Sequence, residues 1–424
     1  MERIAARYGI HYGWVVAATT FITMLVTAGA MGAPGVLIQP LQWEFGWTNE
    51  QISTAFAVRL VLFGLMGPFS AAFMNYFGIR RVVAFALTLI AAGIFASMFM
   101  HSLWQLVLLW GVVVGLGTGM TAAVLGATVA TRWFEQRRGL VMGLLAASTA
   151  TGQLVFLPAL ASLATHWGWR SALQFVLAML AVGVVAVVAL MRDWPADVGL
   201  APYGGAQVKP AANRPASILA MLAVPLRVLR EVRGNPVFWL LFGSFFVCGA
   251  STNGLVQTHF VSLCGDFGIA PVAAAGLLAT IGIFDFFGTI GSGWLSDRFD
   301  SRWLLFWYYG LRGVSLLYLP FTDFSATQLA IFSVFYGLDW VATVPPTVKL
   351  TTANFGSNAN VVFGWIFAGH QLGAATAAFG AGFTRTNYAS YLPAFFAAGV
   401  LCVFAALAML GGRGARVPPA VTAT

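Results

Sequence analysis

The sequence predicts an all-α membrane protein of twelve transmembrane helices, built as two six-helix bundles of matching design. Its composition, the spacing of its apolar runs and an internal repeat all lead there. The chain has 424 residues, of which 59% are hydrophobic and 8% charged, with a mean hydropathy of +0.84. Soluble domains carry roughly a quarter charged residues, so this chain lacks the polar surface to face water all round. About twelve apolar runs follow one another: 14–40, 50–76, 80–100, 104–130, 138–164, 170–191, 236–263, 271–296, 303–321, 326–350, 358–384 and 388–411. A run of about 20 apolar residues crosses a bilayer as a helix because its backbone N–H and C=O groups then bond internally. Gly and Pro within such runs are tolerated where neighbouring helices satisfy the freed groups.

The distribution of charge fixes the expected orientation. The net charge is +9, but its placement argues against nucleic acid as a partner. Of 22 Lys and Arg, 17 lie in the N-terminal tail, the even-numbered loops or the C-terminal tail, and Lys349 ends the tenth span on that same side. Arg170 and Arg385 lie at the opposite side, and Arg59 and Arg312 inside spans. The positive-inside rule places both termini and the even loops in the cytoplasm, which suits a bacterial-type inner membrane. The first apolar run is too long for a cleavable signal and lacks a small-residue cleavage pattern, so it reads as the first span. Cys248, Cys264 and Cys402 show no paired spacing; free thiols, no metal site and no cofactor are expected.

Residues 192–235 form the long polar break and separate six spans from six. The expected organisation is an N-terminal bundle over 1–191, a cytoplasmic linker over 192–235, and a C-terminal bundle with a short tail over 236–424. Within the linker, residues 217–233 read as an amphipathic basic helix, with Leu219, Leu222, Leu226 and Leu229 against Arg227, Arg230 and Arg233. Such a segment suits the inner membrane surface.

The halves repeat. Phe134, Gly143 and Gly152 have the same spacing as Phe355, Gly364 and Gly373, a shift of 355 − 134 = 221. "NYFGIR" (75–80) aligns with "DRFDSR" (297–302), and "FGWT" (45–48) with "FGIA" (267–270), both at a shift of 222. Duplicated six-helix units mark a transporter whose substrate site lies where the bundles meet near the midplane.

These residues resemble the major facilitator superfamily. "GSGWLSDRFDSR" (291–302) matches its signature between the eighth and ninth spans, with Asp297, Arg298 and Arg302. The counterpart "AAFMNYFGIRR" (71–81) keeps Gly78, Arg80 and Arg81 but has Ala71 for Gly and Asn75 for Asp. The resemblance therefore implies a gating salt bridge through Asp297 rather than through the N-terminal loop. The stretch Trp133-Phe134-Glu135-Gln136-Arg137-Arg138-Gly139-Leu140-Val141-Met142-Gly143, then Ala147-Ser148 and Gly152, is similar to a pattern of the monocarboxylate transporters. Gln136, Val141 and Ser148 depart from it. "HYGWVV" (11–16) is similar to that family's opening in Gly13-Trp14 alone. The oxalate:formate exchangers share the same general look. A second reading of the stretch is architectural. Arg137 and Arg138 suit the inner headgroups, the small residues allow close helix approach, and Arg132 and Glu135 are a possible gate pair.

Ionisable groups at membrane depth are costly and normally have a partner or a task. On the eighth span Asp285 is followed by Thr289 and Ser292 on one face. The monocarboxylate transporters carry an Asp there with an Arg four residues on. Asp285 matches the first and Thr289 replaces the second, which leaves Asp285 as a proton carrier or one side of a structural pair. On the tenth span Tyr336, Asp339, Thr343 and Thr347 share a face, and Pro345-Pro346 is expected to break the helix. Arg312 on the ninth span reads as a buried partner for Asp339 or Asp285. Asn253, Gln257 and His259 on the seventh span and Tyr336 on the tenth are substrate-contact candidates, since the resemblance makes these cavity helices. Arg59 is the remaining cation for an anion in the N-terminal half, with snorkelling as its rival. His370 is either a titrating group or a packing residue, so the proton-coupling candidates are Asp285, His370 and Asp339.

No catalytic motif is present, and a non-enzyme is expected. The function expected is secondary transport of a small organic anion, a monocarboxylate by resemblance, by proton symport or anion exchange in a monomer. The alternatives are proton-antiport efflux of lipophilic drugs and a non-transporting sensor on the same scaffold.

Overall fold

The computed structural model describes residues 11–121, 123–208 and 217–411. The termini and the middle of the linker, with Arg3, Arg7, Lys209, Arg214, Arg413 and Arg416, lie outside them, as do the side chains of Arg138 and Asp297. The first half comprises α1 (Tyr12–Phe45), α2 (Asn49–Phe77), α3 (Ile79–Ser97), α4 (Leu103–Trp133), α5 (Arg138–Trp167) and α6 (Trp169–Leu190). The linker helix is α7 (Ile218–Val232). The second half follows as α8 (Pro236–Asp266), α9 (Pro271–Arg298), α10 (Ser301–Tyr318), α11 (Ala326–Phe355), α12 (Ala359–Tyr388) and α13 (Leu392–Gly411). Ten of these are long and apolar enough to cross a membrane by length and hydropathy alone. With α5 and α10 they make six in each half, the all-α two-bundle architecture expected.

Two long helix pairs join the halves, α2 along α12 and α5 along α9. At the α2–α12 seam small residues let the helices approach closely. A Cβ at Gly64 of α2 would lie 2.4 Å from Gln371 of α12, and one at Gly382 of α12 would lie 2.4 Å from Ser53 of α2. Within the second half, a Cβ at Gly373 of α12 would fall 1.9 Å from the Phe246 carbonyl of α8.

Two helices lining the middle depart from α geometry at equivalent places. In α1, Ala33 separates Tyr12–Gly32 from Pro34–Phe45. In α8, residues Ala250–Val256 form a π-helical turn. Under the 222-residue offset, Pro34 corresponds to Val256 and Gly35 to Gln257. A Cβ at Gly35 would lie 2.7 Å from the Gln257 carbonyl, so two equivalent positions touch and the pseudo-twofold axis passes close to them. Toward the face opposite the linker, the closure continues. Tyr391 donates from its hydroxyl to Asn49 Oδ1 at 2.7 Å, and the Glu50 N–H donates to Thr386 Oγ1 at 3.2 Å. Glu44 and Asp266, also 222 apart, pair with Arg170 at 2.6 Å and Arg385 at 2.9 Å.

The linker helix departs from the expected stripe. Its packed face is Met221, Pro225, Val228 and Val232, while Leu219 and Leu226 are exposed. On a 3.6-residue turn those two leucines fall on the arginine side, so the helix is not leucine-against-arginine around its girth.

Gly373→Val is expected to destabilise the fold by about 2 kcal/mol, because the added carbons must part α8 from α12. Gly380→Val, on the same helix with no atom within 4 Å of its added Cβ, is the near-neutral control. Equal melting temperatures in detergent would refute the backbone contact.

Candidate functional site

The tenth span, α11, is interrupted: one helical segment ends at Asp339 and the next begins at Val344. The Pro345-Pro346 pair was expected to break it; the opening lies just before the pair, because proline removes hydrogen bonds to carbonyls four residues upstream. In hydrocarbon those freed groups need other partners. Side chains from neighbouring helices supply them. Ser292 of α9 donates to the Ala342 carbonyl, four residues before Pro346, at 2.5 Å. Arg312 of α10 donates through Nη2 to the carbonyls of Asp339 at 2.6 Å and Trp340 at 3.2 Å. Asp285 Oδ1 accepts from the Val341 N–H at 2.9 Å and from Thr289 Oγ1 at 2.9 Å.

Arg312 also closes an ion pair, Nε to Asp339 Oδ2 at 2.6 Å, with its own side chain 0% exposed. Its Nη1 lies 2.9 Å from Cys248 Sγ on α8, and Cys248 is 3.3 Å from Thr343 Oγ1. Asp339 Oδ1 is buried without a partner. Of the two carboxylates open to Arg312, Asp339 takes it. Asp285 Oδ2 makes no hydrogen bond among the described residues.

Arg59 is placed differently. It is 4% exposed on α2 and donates through Nη1 to the carbonyls of Ala30 at 3.4 Å and Met31 at 3.2 Å. Ala30 lies four residues before Pro34, so its carbonyl is the one that the proline frees. Arg59 therefore serves the break in α1 as Arg312 serves that in α11. The difference is charge: no carboxylate pairs with Arg59 among the described residues, and its Nε is buried without a partner. One turn beyond Met31, Gly35 meets Gln257. Asn253 and Gln257 are half-buried, one turn apart on α8, and neither side chain is hydrogen-bonded among the described residues.

The remaining candidates have packing partners. His259 is fully buried, with Nε2 2.8 Å from the Ala378 carbonyl, Nδ1 unpartnered and its ring 5.2 Å from that of Tyr391. Tyr336 is fully buried and donates to the Ser251 carbonyl at 2.7 Å, bracing the π-helical turn. His370 lies between Phe245 and Phe367, with Nδ1 3.1 Å from Gln371 Nε2.

On the linker face, Arg132 turns away from Glu135. It donates to Asn75 Oδ1 at 2.5 Å and stacks 4.1 Å over Trp194. Gly78, at φ 90°, leaves room for the Asp193 carboxylate, which accepts from the Arg80 N–H at 2.8 Å. Tyr203 hydrogen-bonds through its backbone to Trp133 and Glu135, and its ring meets Trp14 and Phe134. The two sequence stretches that carried the resemblance, Gly13-Trp14 and Trp133-Phe134, are thus neighbours under one strap. Sequence reasoning passed over Asp193, Trp194 and Tyr203; "RDWP" directly after an apolar run was the available signal. Arg137 is exposed and left-handed at φ 57°. Arg298 stacks 3.9 Å over Trp294, and the Arg302 N–H donates to Asp300 Oδ1 at 2.8 Å. Lys349 reaches across to the Ser296 carbonyl.

Arg312→Leu is expected to cost about 3–5 kcal/mol by leaving Asp339 buried without its cation. Arg312→Leu combined with Asp339→Leu should be more stable than Arg312→Leu alone. Strictly additive losses in detergent unfolding would refute the pair.

Residues 19–378 match the sequence profile of the Major Facilitator Superfamily. Monocarboxylate transporter 13 of Bos taurus is 28% identical over 337 residues, 79% of this chain and 73% of that protein. An uncharacterized MFS-type transporter of Bacillus subtilis (strain 168), YcxA, is 21% identical over 375 residues, 87% of each chain. Among solved structures, the partially occluded inward open conformation of the xylose transporter XylE from E. coli superimposes with a TM-score of 0.71. It has 14% identity and covers 95% of this chain and 100% of the other. The chain belongs to the major facilitator superfamily and is an integral membrane transporter.

Proposed function

We propose that the protein carries small organic anions, monocarboxylates in the first instance, by alternating access of its two halves. The observation that carries this reading is Arg59: a buried guanidinium balanced by two carbonyl oxygens and, among the described residues, no carboxylate. A bound carboxylate would complete its coordination, with the amides of Asn253 and Gln257, which make no hydrogen bond among the described residues, as further candidate contacts. The likeness to monocarboxylate transporter 13 favours the same ligand class. Tyr336 and His259, both occupied by backbone carbonyls, act here through the walls of the site.

Proton coupling in this reading runs through Asp285. Its Oδ1 pins the Val341 N–H, and its Oδ2 is open to a proton. Protonation weakens the carboxylate as an acceptor, so it loosens the α11 break when the proton is on. Asp339 stays with Arg312, and His370 is the second protonation candidate. Alternation follows from the packing. The far half of α1 rests on α8 near Gln257, while the linker-side ends of α4 and α11 pack within their own halves. These contacts support a reading in which the halves are closed on the face opposite the linker and would open toward the linker side, the cytoplasmic side by the charge distribution.

Arg59→Gln is expected to abolish the thermal stabilisation that a monocarboxylate panel gives the purified protein, with Arg59→Lys keeping part of it. Undiminished stabilisation of the Gln variant would remove Arg59 from the site. Asp285→Asn should abolish pH-driven uptake into vesicles while exchange of preloaded substrate continues. Loss of both modes together would assign Asp285 to scaffolding alone.

A further inference from the structure

The linker helix α7 lies across the seam between the halves. It packs against α2 of the first and α12 of the second, and Trp365 Nε1 of α12 donates to its Pro225 carbonyl at 2.9 Å. Its packed face, Met221, Pro225, Val228 and Val232, is fully accounted for by this contact. The opposite face is not. Leu219 is 80% and Leu226 53% exposed, and Arg227, Arg230 and Arg233 are all exposed. None of the three guanidinium groups has a hydrogen bond, ion pair or ring contact among the described residues. At 100° per residue, Leu219, Leu226, Arg230 and Arg233 fall within one narrow sector and Arg227 beside it.

On this face the two residue classes separate along the axis rather than around it. Leucine occupies the start of the helix and arginine its end, next to Asn235 and the first turn of α8. The one acidic residue of the helix, Glu231, is engaged by Asn358 Nδ2 at 3.4 Å. Leu219 and Leu226 on this face would gain by leaving water, and a lipid-buried helix cannot hold three unpaired guanidinium groups. A helix lying in the interface satisfies both, with leucines among acyl chains and arginines among phosphates.

We infer that the exposed face of α7 is a docking surface for anionic phospholipid headgroups of the adjoining leaflet. Because the same helix packs on α2 and α12, lipid bound there would lie over the seam between the halves. This assignment is independent of which solute the protein carries.

The test uses the full-length protein, delipidated in detergent and titrated with phosphatidylglycerol or phosphatidylcholine under native mass spectrometry. The wild-type chain should bind phosphatidylglycerol in preference. Replacing the three residues together (Arg227→Gln, Arg230→Gln and Arg233→Gln) should erase that preference, at roughly fivefold per arginine and on the order of a hundredfold for all three. Leu219→Ser with Leu226→Ser should weaken both lipids while the preference survives. The corresponding triple change to Lys should restore binding, which separates charge from any damage to the helix. A triple Gln variant that keeps its preference, or a triple Lys variant that fails to regain it, overturns the assignment.

Discussion

A helix interrupted inside a bilayer depends on what satisfies its freed backbone groups, and in this protein that requirement organises the second half. Between Asp339 and Val344 the backbone of α11 has partners from three side chains on two other helices. Two of these are ionisable. Arg312 can lie at full burial because Asp339 supplies a counter-charge and two carbonyls supply the remaining acceptors. Asp285 accepts from the Val341 N–H within the break. The charges are therefore part of the backbone solution. They also put ionisable groups in direct contact with the break, which an apolar filling would not.

The first half meets the same requirement more simply. Pro34 frees the Ala30 carbonyl, and Arg59 reaches it from α2. Here the cation brings no carboxylate with it. The two halves thus share a scaffold, down to the contact between equivalent residues Gly35 and Gln257 and the equivalent acids Glu44 and Asp266, but not the buried charges of their spans. The position equivalent to Arg59 in the second half is Ile281, and the position equivalent to Asp285 in the first is Phe63, at the 222 offset. Arg59 and Asp285 therefore each occur in one half alone.

Much of this was legible in the sequence, for identifiable reasons. Spans, their number and the repeat follow from hydropathy and spacing, which lipid enforces strictly. Arg312 with an acidic partner was legible because a charge at that depth needs one. Which acid it takes was not, since Asp285 and Asp339 lie on different helices and only packing decides. The position of the α11 break relative to its prolines required knowing which carbonyls they free. The linker helix misled because four leucines at regular spacing suggested one stripe, whereas the packed face is set by Met221, Pro225, Val228 and Val232. For the strap residues Asp193, Trp194 and Tyr203 the sequence marks a segment but not its contacts, because their partners lie some sixty residues or more away in the chain.

This distribution bears on how a transporter of the proposed kind divides its tasks. A cation already paired, such as Arg312, offers an incoming anion little, because binding would have to displace Asp339 from a 2.6 Å contact. A cation held by carbonyl dipoles, such as Arg59, keeps its full charge and has its position fixed in advance, so an anion meets preorganised attraction with little reorganisation. Conversely, a proton-responsive group is useful where its state alters a mechanical element, and Asp285 is bonded directly to the interrupted backbone. In the proposed scheme, solute recognition centred on Arg59 and proton response at Asp285 would communicate through the α1–α8 contact and the long seams, the structures that any rocking of the halves must rearrange.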